Sequence, residues 1–94
     1  MYLYNISIIV EDSQHDTLLN WLEKEWLPSL VQEIKFLKMI NTPHEGHTYC
    51  VQMTVNNQED IVNFQQTTLN DLQYHLQLNH KEKAFIFDSI MQYL

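Results

Sequence analysis

Arginine is absent from this 94-residue chain, so its basic side chains are five lysines and five histidines. Twelve acidic residues outnumber the lysines and give a formal net charge of -7. Proteins that bind nucleic acid or anionic lipid need clustered lysine or arginine to neutralise phosphate. The composition therefore predicts neither a nucleic-acid partner nor a membrane partner.

Cysteine and long apolar runs are also scarce. Cys50 is the single cysteine, so an internal disulfide and a cysteine zinc cage are both excluded. The apolar run at residues 6–10 is far shorter than the roughly 20 residues of a membrane span, and it lacks the basic flank of a signal peptide. We expect a cytoplasmic protein with one domain over residues 1–94 and a reduced thiol.

The spacing of apolar residues switches between two periods along the chain. Alternation with period two predicts strands, and a 3.6-residue spacing predicts helices. The predicted strands are residues 2–11, 34–41, 48–56 and 83–94, and the predicted helices are residues 12–27 and 58–78.

Boundary residues refine the two predicted helices. Ser13 is expected to cap the first helix, and Pro28 is expected to stop or kink it near Leu27. Asn57 is expected to cap the second helix, which should be weak at Thr67-Thr68 because adjacent β-branched residues disfavour helix.

The resulting order, β-α-β-β-α-β, predicts an α+β ferredoxin-like sandwich with two helices on one face of a four-stranded antiparallel sheet in the order 4-1-3-2. Gly46, the only glycine, is placed in the turn between strands 2 and 3. Lysines are predicted on both edge strands, where they discourage unwanted pairing. They are Lys35 and Lys38 on strand 2, and Lys81 and Lys83 where the chain enters strand 4.

One face of such a sheet has no helix over it. At its centre the pattern predicts neutral side chains only: Leu3, Asn5, Ser7, Ile9, Thr48, Cys50, Gln52 and Thr54. An acidic protein would normally place charges on a solvated face, so a neutral face favours burial against a second copy. We therefore predict a homodimer through this face, and the remaining interpretation is a polar sheet face that meets solvent.

The polar residues at the centre of this face are the predicted pocket or interface lining: Asn5, Ser7, Cys50 and Gln52. Pairing across the dimer is the favoured role. If a pocket exists between the sheets, the same groups would orient a small molecule. Cys50 has no base beside it in sequence, which argues against a nucleophile.

Topology also gathers histidines at one rim of the sheet, beside Glu11, Asp12 and Glu45. Imidazole and carboxylate bind transition metals, so one interpretation is a metal site and the other is a set of polar loop residues without a ligand. The candidate ligands of the metal site are His15, His44, His47 and His80. His15 is the best candidate catalytic residue, because the start of a helix favours its neutral form. A structural hydrogen bond between the helix start and the hairpin is its simpler role.

Short motifs along nearly the whole chain resemble a bacterial family known only as a domain of unknown function. The motifs are Tyr4-Asn5, Glu11-Asp12-Ser13-x-His15, Trp21, Leu27-Pro28, Tyr49-x-Val51-Gln52 and Ala84-Phe85-x-x-Asp88-Ser89. That family is similar to the dimeric α+β barrel superfamily, in which two ferredoxin-like sheets face each other. The resemblance implies the fold and a dimer, and it implies no reaction. Trp26 stands where the family more often has histidine.

Two functions remain open at this point. The first is a small homodimeric binding or structural module with no cofactor. The alternative is a small-molecule enzyme of the dimeric α+β barrel type, similar to monooxygenases or isomerases, with a pocket between the sheets.

Overall fold

The structure, a computed structural model, describes residues 1–43 and 45–94. It confirms the predicted order of strands and helices. The elements are β1 (Tyr2–Val10), α1 (Asp12–Trp21), a π-helical segment (Leu22–Trp26), α2 (Leu27–Ser29), β2 (Lys35–Met39), β3 (His47–Val55), α3 (Gln58–Gln66), α4 (Thr68–Asn79) and β4 (Ala84–Gln92).

The four strands form one antiparallel sheet in the order β2-β3-β1-β4, which is the predicted order 4-1-3-2. Strand β1 lies at the centre and pairs along its full length with both β3 and β4. With helices on one face, this is the predicted ferredoxin-like α+β fold.

The core lies between the sheet and the helices. Alternate residues of β1, namely Tyr4, Ile6, Ile8 and Val10, are at most 2% exposed. Leu18 of α1 and Phe64 of α3 pack with them in the core. Burying each such side chain contributes roughly 1.5–3 kcal/mol, so the period-two pattern of β1 is the main sequence signal for the fold.

The first helix differs from the prediction at both ends. Its N-cap is Glu11, without a side-chain cap, and Ser13 lies inside the helix, so the predicted Ser13 cap is wrong. Pro28 does not end the helical region at Leu27, because Pro28 lies within α2, which continues to Ser29. The π-helical segment lies directly before it, and the wider turn accommodates a proline ring that would clash with the carbonyl four residues earlier.

The second helical region matches its predicted weak points. Asn57 Oδ1 accepts a hydrogen bond of 3.1 Å from the backbone N–H of Asp60, as expected of an N-cap. The helix is interrupted at Thr67, whose φ of -117° and ψ of -80° separate α3 from α4.

The edge strands carry lysine unequally. Lys35 and Lys38 lie on β2 as predicted, but β4 begins at Ala84, so Lys81 and Lys83 lie before it. Gly46, in the turn before β3, has a φ of +87°, and a Cβ there would lie 2.5 Å from the carbonyl oxygen of Val10. Among the described helices, none is long and apolar enough to cross a membrane.

Candidate functional site: the open face of the sheet

Strand register fixes which residues share the face opposite the helices, here called the open face. Two rows across the sheet form its apolar end: Met39, Thr48, Ile9 and Phe85, then Leu37, Cys50, Ser7 and Phe87. Two further rows form its polar end: Lys35, Gln52, Asn5 and Ser89, then Thr54, Leu3 and Met91.

The apolar end has large side chains at both edges and small ones between them. Leu37 and Met39 on β2 are 43% and 45% exposed, and Phe85 and Phe87 on β4 are 50% and 63% exposed. Between these side chains the central strands place the small Ser7, Thr48 and Cys50, together with the larger Ile9. The result is an open trough of about 770 Å³, lined by Ser7, Ile9, Met39, Pro43, Thr48, Phe85 and Phe87.

The four residues predicted to line a pocket or interface are joined in one polar chain. The side-chain amide of Gln52 donates to Asn5 Oδ1 at 3.1 Å, and Asn5 Nδ2 donates to Ser7 Oγ at 3.0 Å. Ser7 Oγ lies 3.7 Å from Cys50 Sγ. Because Gln52, Asn5 and Ser7 hydrogen-bond in sequence, covering them costs less than covering unpaired amides.

The open face is almost free of charge. Lys35, at the β2 edge, is the one charged residue in its four rows, and no carboxylate lies among them. The chain has twelve acidic residues, so the acids are concentrated on other surfaces.

Sequence reasoning placed the central residues of this face correctly but missed its large apolar members. Leu37 and Met39 alternate along β2, and Phe85, Phe87 and Met91 alternate along β4. That alternation was the available signal. The alternation shows which residues of a strand lie on the same face, but the pairing of each edge strand with its neighbour decides which face of the sheet that is.

Two of the predicted rim histidines meet at the start of α1. The rings of His15 and His47 stack with centroids 3.8 Å apart. His15 Nδ1 lies 3.0 Å from Asp16 Oδ1, and its Nε2 lies 2.6 Å from the hydroxyl of Tyr49. His47 Nε2 lies 2.8 Å from Asp12 Oδ1.

This geometry assigns the tautomer of His15. In the neutral ring, a carboxylate at Nδ1 calls for a proton there, and Nε2 then accepts the hydrogen bond that the Tyr49 hydroxyl donates. Burial raises the pKa of Tyr49, and the negative charges of Glu23 and Asp16 raise it further. Tyr49 therefore remains a donor at neutral pH, and the contact ties the first turn of α1 to β3.

His80, the last predicted rim histidine, has a different set of partners. It is 2% exposed, and its Nδ1 lies 2.9 Å from Gln14 Oε1. Its buried Nε2 has no hydrogen-bond partner among residues 1–43 and 45–94, and burial lowers its pKa. The ring of His75 lies 5.5 Å away between centroids and stacks on Trp21.

The histidines do not assemble a metal centre within the described part of the chain. Among residues 1–43 and 45–94, no group of three or more His, Cys, Asp and Glu side chains is placed to hold a metal ion. His44, the fourth predicted ligand, lies outside the described residues. The open face is therefore the stronger candidate site.

Comparison with known proteins gives the family. Residues 1–94 match the domain of unknown function DUF4286. The chain belongs to the DUF4286 family. No curated protein matches this DUF4286 chain at a significant level.

Solved structures similar to the DUF4286 chain agree with its fold. An ethyl tert-butyl ether D (EthD) family protein from Bacillus halodurans C-125 superposes with a TM-score of 0.64 at 7% identity, over 100% of both chains. The de novo designed protein Foldit4 superposes with a TM-score of 0.59 at 10% identity, over 99% of this chain and 98% of that one. At these identities the likeness concerns the fold alone.

Proposed function

We propose that this protein is a homodimeric binding or structural module in which the open faces of two copies meet. The observation that carries the proposal is the composition of that face: an apolar end with four large exposed side chains, a polar end in which Asn5 and Gln52 hydrogen-bond to each other, and a single charge at its edge. Large exposed apolar patches on soluble proteins mark contact sites.

The face has about the size that a stable dimer needs. Three strands of nine residues and one of five, about 4.8 Å apart and about 3.3 Å per residue, make a face of about 510 Å² in projection. Protruding side chains make the accessible area larger than this projection. A standard protein interface buries about 800 Å² on each partner.

Charge supports a second copy as the occupant. Two chains of net charge -7 repel each other, so they can associate only where carboxylates are absent. The open face is such a surface.

A second candidate is an enzyme of the dimeric α+β barrel type that acts on a small organic molecule. The trough favours it, because about 770 Å³ falls within the roughly 300–1,000 Å³ of small-molecule pockets. The trough lies at Ser7 and Thr48, away from Asn5 and Gln52. Of the four hydrogen-bonded polar residues described above, Ser7 is the one that would line the pocket in this alternative.

The dimer is tested by a pair of glutamate variants studied by light scattering. Phe87→Glu places a charge in the apolar end of the proposed contact, and we expect dimerisation to weaken about 100-fold or more because two unpaired charges are buried. Tyr74→Glu is the matched control, since Tyr74 on α4 is 64% exposed on the helical side. A Phe87→Glu protein that dimerises as tightly as the control would refute the open face as the interface.

A further inference from the structure

The shape of the trough follows from the order of side-chain sizes across the sheet. Ser7 and Thr48 form the floor with Ile9, on the two central strands. Phe85 and Phe87 rise from β4 on one side, and Met39 and Pro43 stand on the other. Two such faces brought together have large side chains at their edges and small ones at their centres, so they leave space between the sheets.

Among the described residues that line this space, none carries a formal charge. No lysine, aspartate or glutamate is among the residues that line it. A buried ionised ligand would therefore lose its hydration without gaining a partner of opposite charge, which disfavours its binding. The net charge of -7 further disfavours anions.

Ser7 provides a hydrogen-bond donor on the floor, beside the hydroxyl of Thr48. Ser7 Oγ accepts from Asn5 Nδ2 at 3.0 Å, so its own O–H is free to donate. Its side-chain neighbour on the other side is the Cys50 sulfur at 3.7 Å, which is a weak acceptor. An acceptor atom of a ligand above Ser7 would be a stronger partner.

From these features we infer that the trough binds an uncharged, largely apolar organic molecule with one hydrogen-bond acceptor. Its apolar part packs between the phenyl rings of β4 and the side chains of β2 and the following turn, and its acceptor meets the Ser7 hydroxyl. The inference rests on the proposed dimer, because the second copy supplies the roof that removes the ligand from water.

Two fluorescent probes with one skeleton test the ligand class. N-phenyl-1-naphthylamine is uncharged and apolar, and 8-anilinonaphthalene-1-sulfonate adds a sulfonate to the same skeleton. We expect saturable binding of the neutral probe to the dimer, about tenfold or more tighter than binding of the sulfonate. Equal binding of both probes, or tighter binding of the sulfonate, would overturn the inference.

Two serine-to-leucine variants test the location. Ser7→Leu fills the floor of the trough and should weaken binding of the neutral probe about tenfold or more. Ser89→Leu makes the same change at the polar end of the same face and should leave probe binding within about twofold. If the two variants bind the probe equally, the site is not in the trough.

Light scattering on the same samples separates the two proposals. A dimer that fails to bind the neutral probe overturns the ligand inference and leaves the dimer standing. A monomeric protein overturns the proposed dimer and, with it, the closed pocket.

Discussion

Ser7 and Phe87 are register partners across β1 and β4, so one of the smallest side chains of the open face lies beside one of the largest. Phe87 is 63% exposed, whereas Ser7 forms part of the trough floor. The same contrast appears on the other side, where Cys50 pairs with Leu37. This order of sizes makes the centre of the face hollow and its edges apolar.

The turn before β3 should depend on Gly46. Its φ of +87° disfavours any residue with a Cβ, and that Cβ would lie 2.5 Å from the Val10 carbonyl oxygen. We expect Gly46→Ala to lower the free energy of unfolding by about 2 kcal/mol or more, measured by urea denaturation.

A second left-handed position provides the control for this variant. Glu82 has a φ of +63°, so Glu82→Gly should leave stability unchanged or raise it by up to about 1 kcal/mol. A Gly46→Ala protein as stable as the unmodified chain would contradict the described turn.

A hydrogen bond between Tyr4 and Asp88 links the edge strand β4 to the core. The fully buried Tyr4 donates a hydrogen bond of 2.5 Å to Asp88 Oδ2, which also accepts from Gln65 at 3.1 Å. Asp88→Ala leaves the Tyr4 hydroxyl without its acceptor, so we expect a loss of about 1–3 kcal/mol. Asp71→Ala, an exposed aspartate on α4, should change stability by less than about 0.5 kcal/mol. Equal effects of the two substitutions in chemical denaturation would argue against this contact.

Mild acid should destabilise the protein through His80 and His75. Burial lowers the pKa of both residues, and the neighbouring His80 lowers that of His75 further. Below about pH 6.5, the usual histidine pKa, the unfolded chain takes up protons that the folded chain excludes. The free energy of unfolding should therefore fall between about pH 6.5 and about pH 5, above the range in which most carboxylates titrate.

The slope of this pH dependence is the informative readout. His80→Leu loses the contact with Gln14 and lowers stability at every pH, but it should flatten the slope because one proton-linked group is gone. Stability that rises as the pH falls through this range, or a slope unchanged in His80→Leu, would contradict the buried neutral state of His80.

Patterns within single elements were enough to predict the fold. The alternation of Tyr4, Ile6, Ile8 and Val10 specifies a half-buried strand, and Asn57 marks the start of its helix. Properties that depend on two elements were harder to predict. The pairing of β4 with β1 places Phe85 and Phe87 on the open face. The sequence of β4 alone does not reveal that pairing.

Helix phase caused the clearest errors within an element. The two tryptophans are five residues apart, and a regular helical count places Trp21 in the core and Trp26 near a sheet edge or a subunit contact. The structure instead buries Trp26 to 3% exposure, whereas Trp21 is partly buried against the core and stacked on His75. The π-helical segment before Pro28 changes the angle per residue, and a regular 3.6-residue count does not include that change.

The central claim, that two copies meet through their open faces, is tested most directly by the molar mass of the unmodified protein in solution. Light scattering at micromolar concentration should give twice the 11.3 kDa of one chain. A mass of one chain under these conditions would contradict the account.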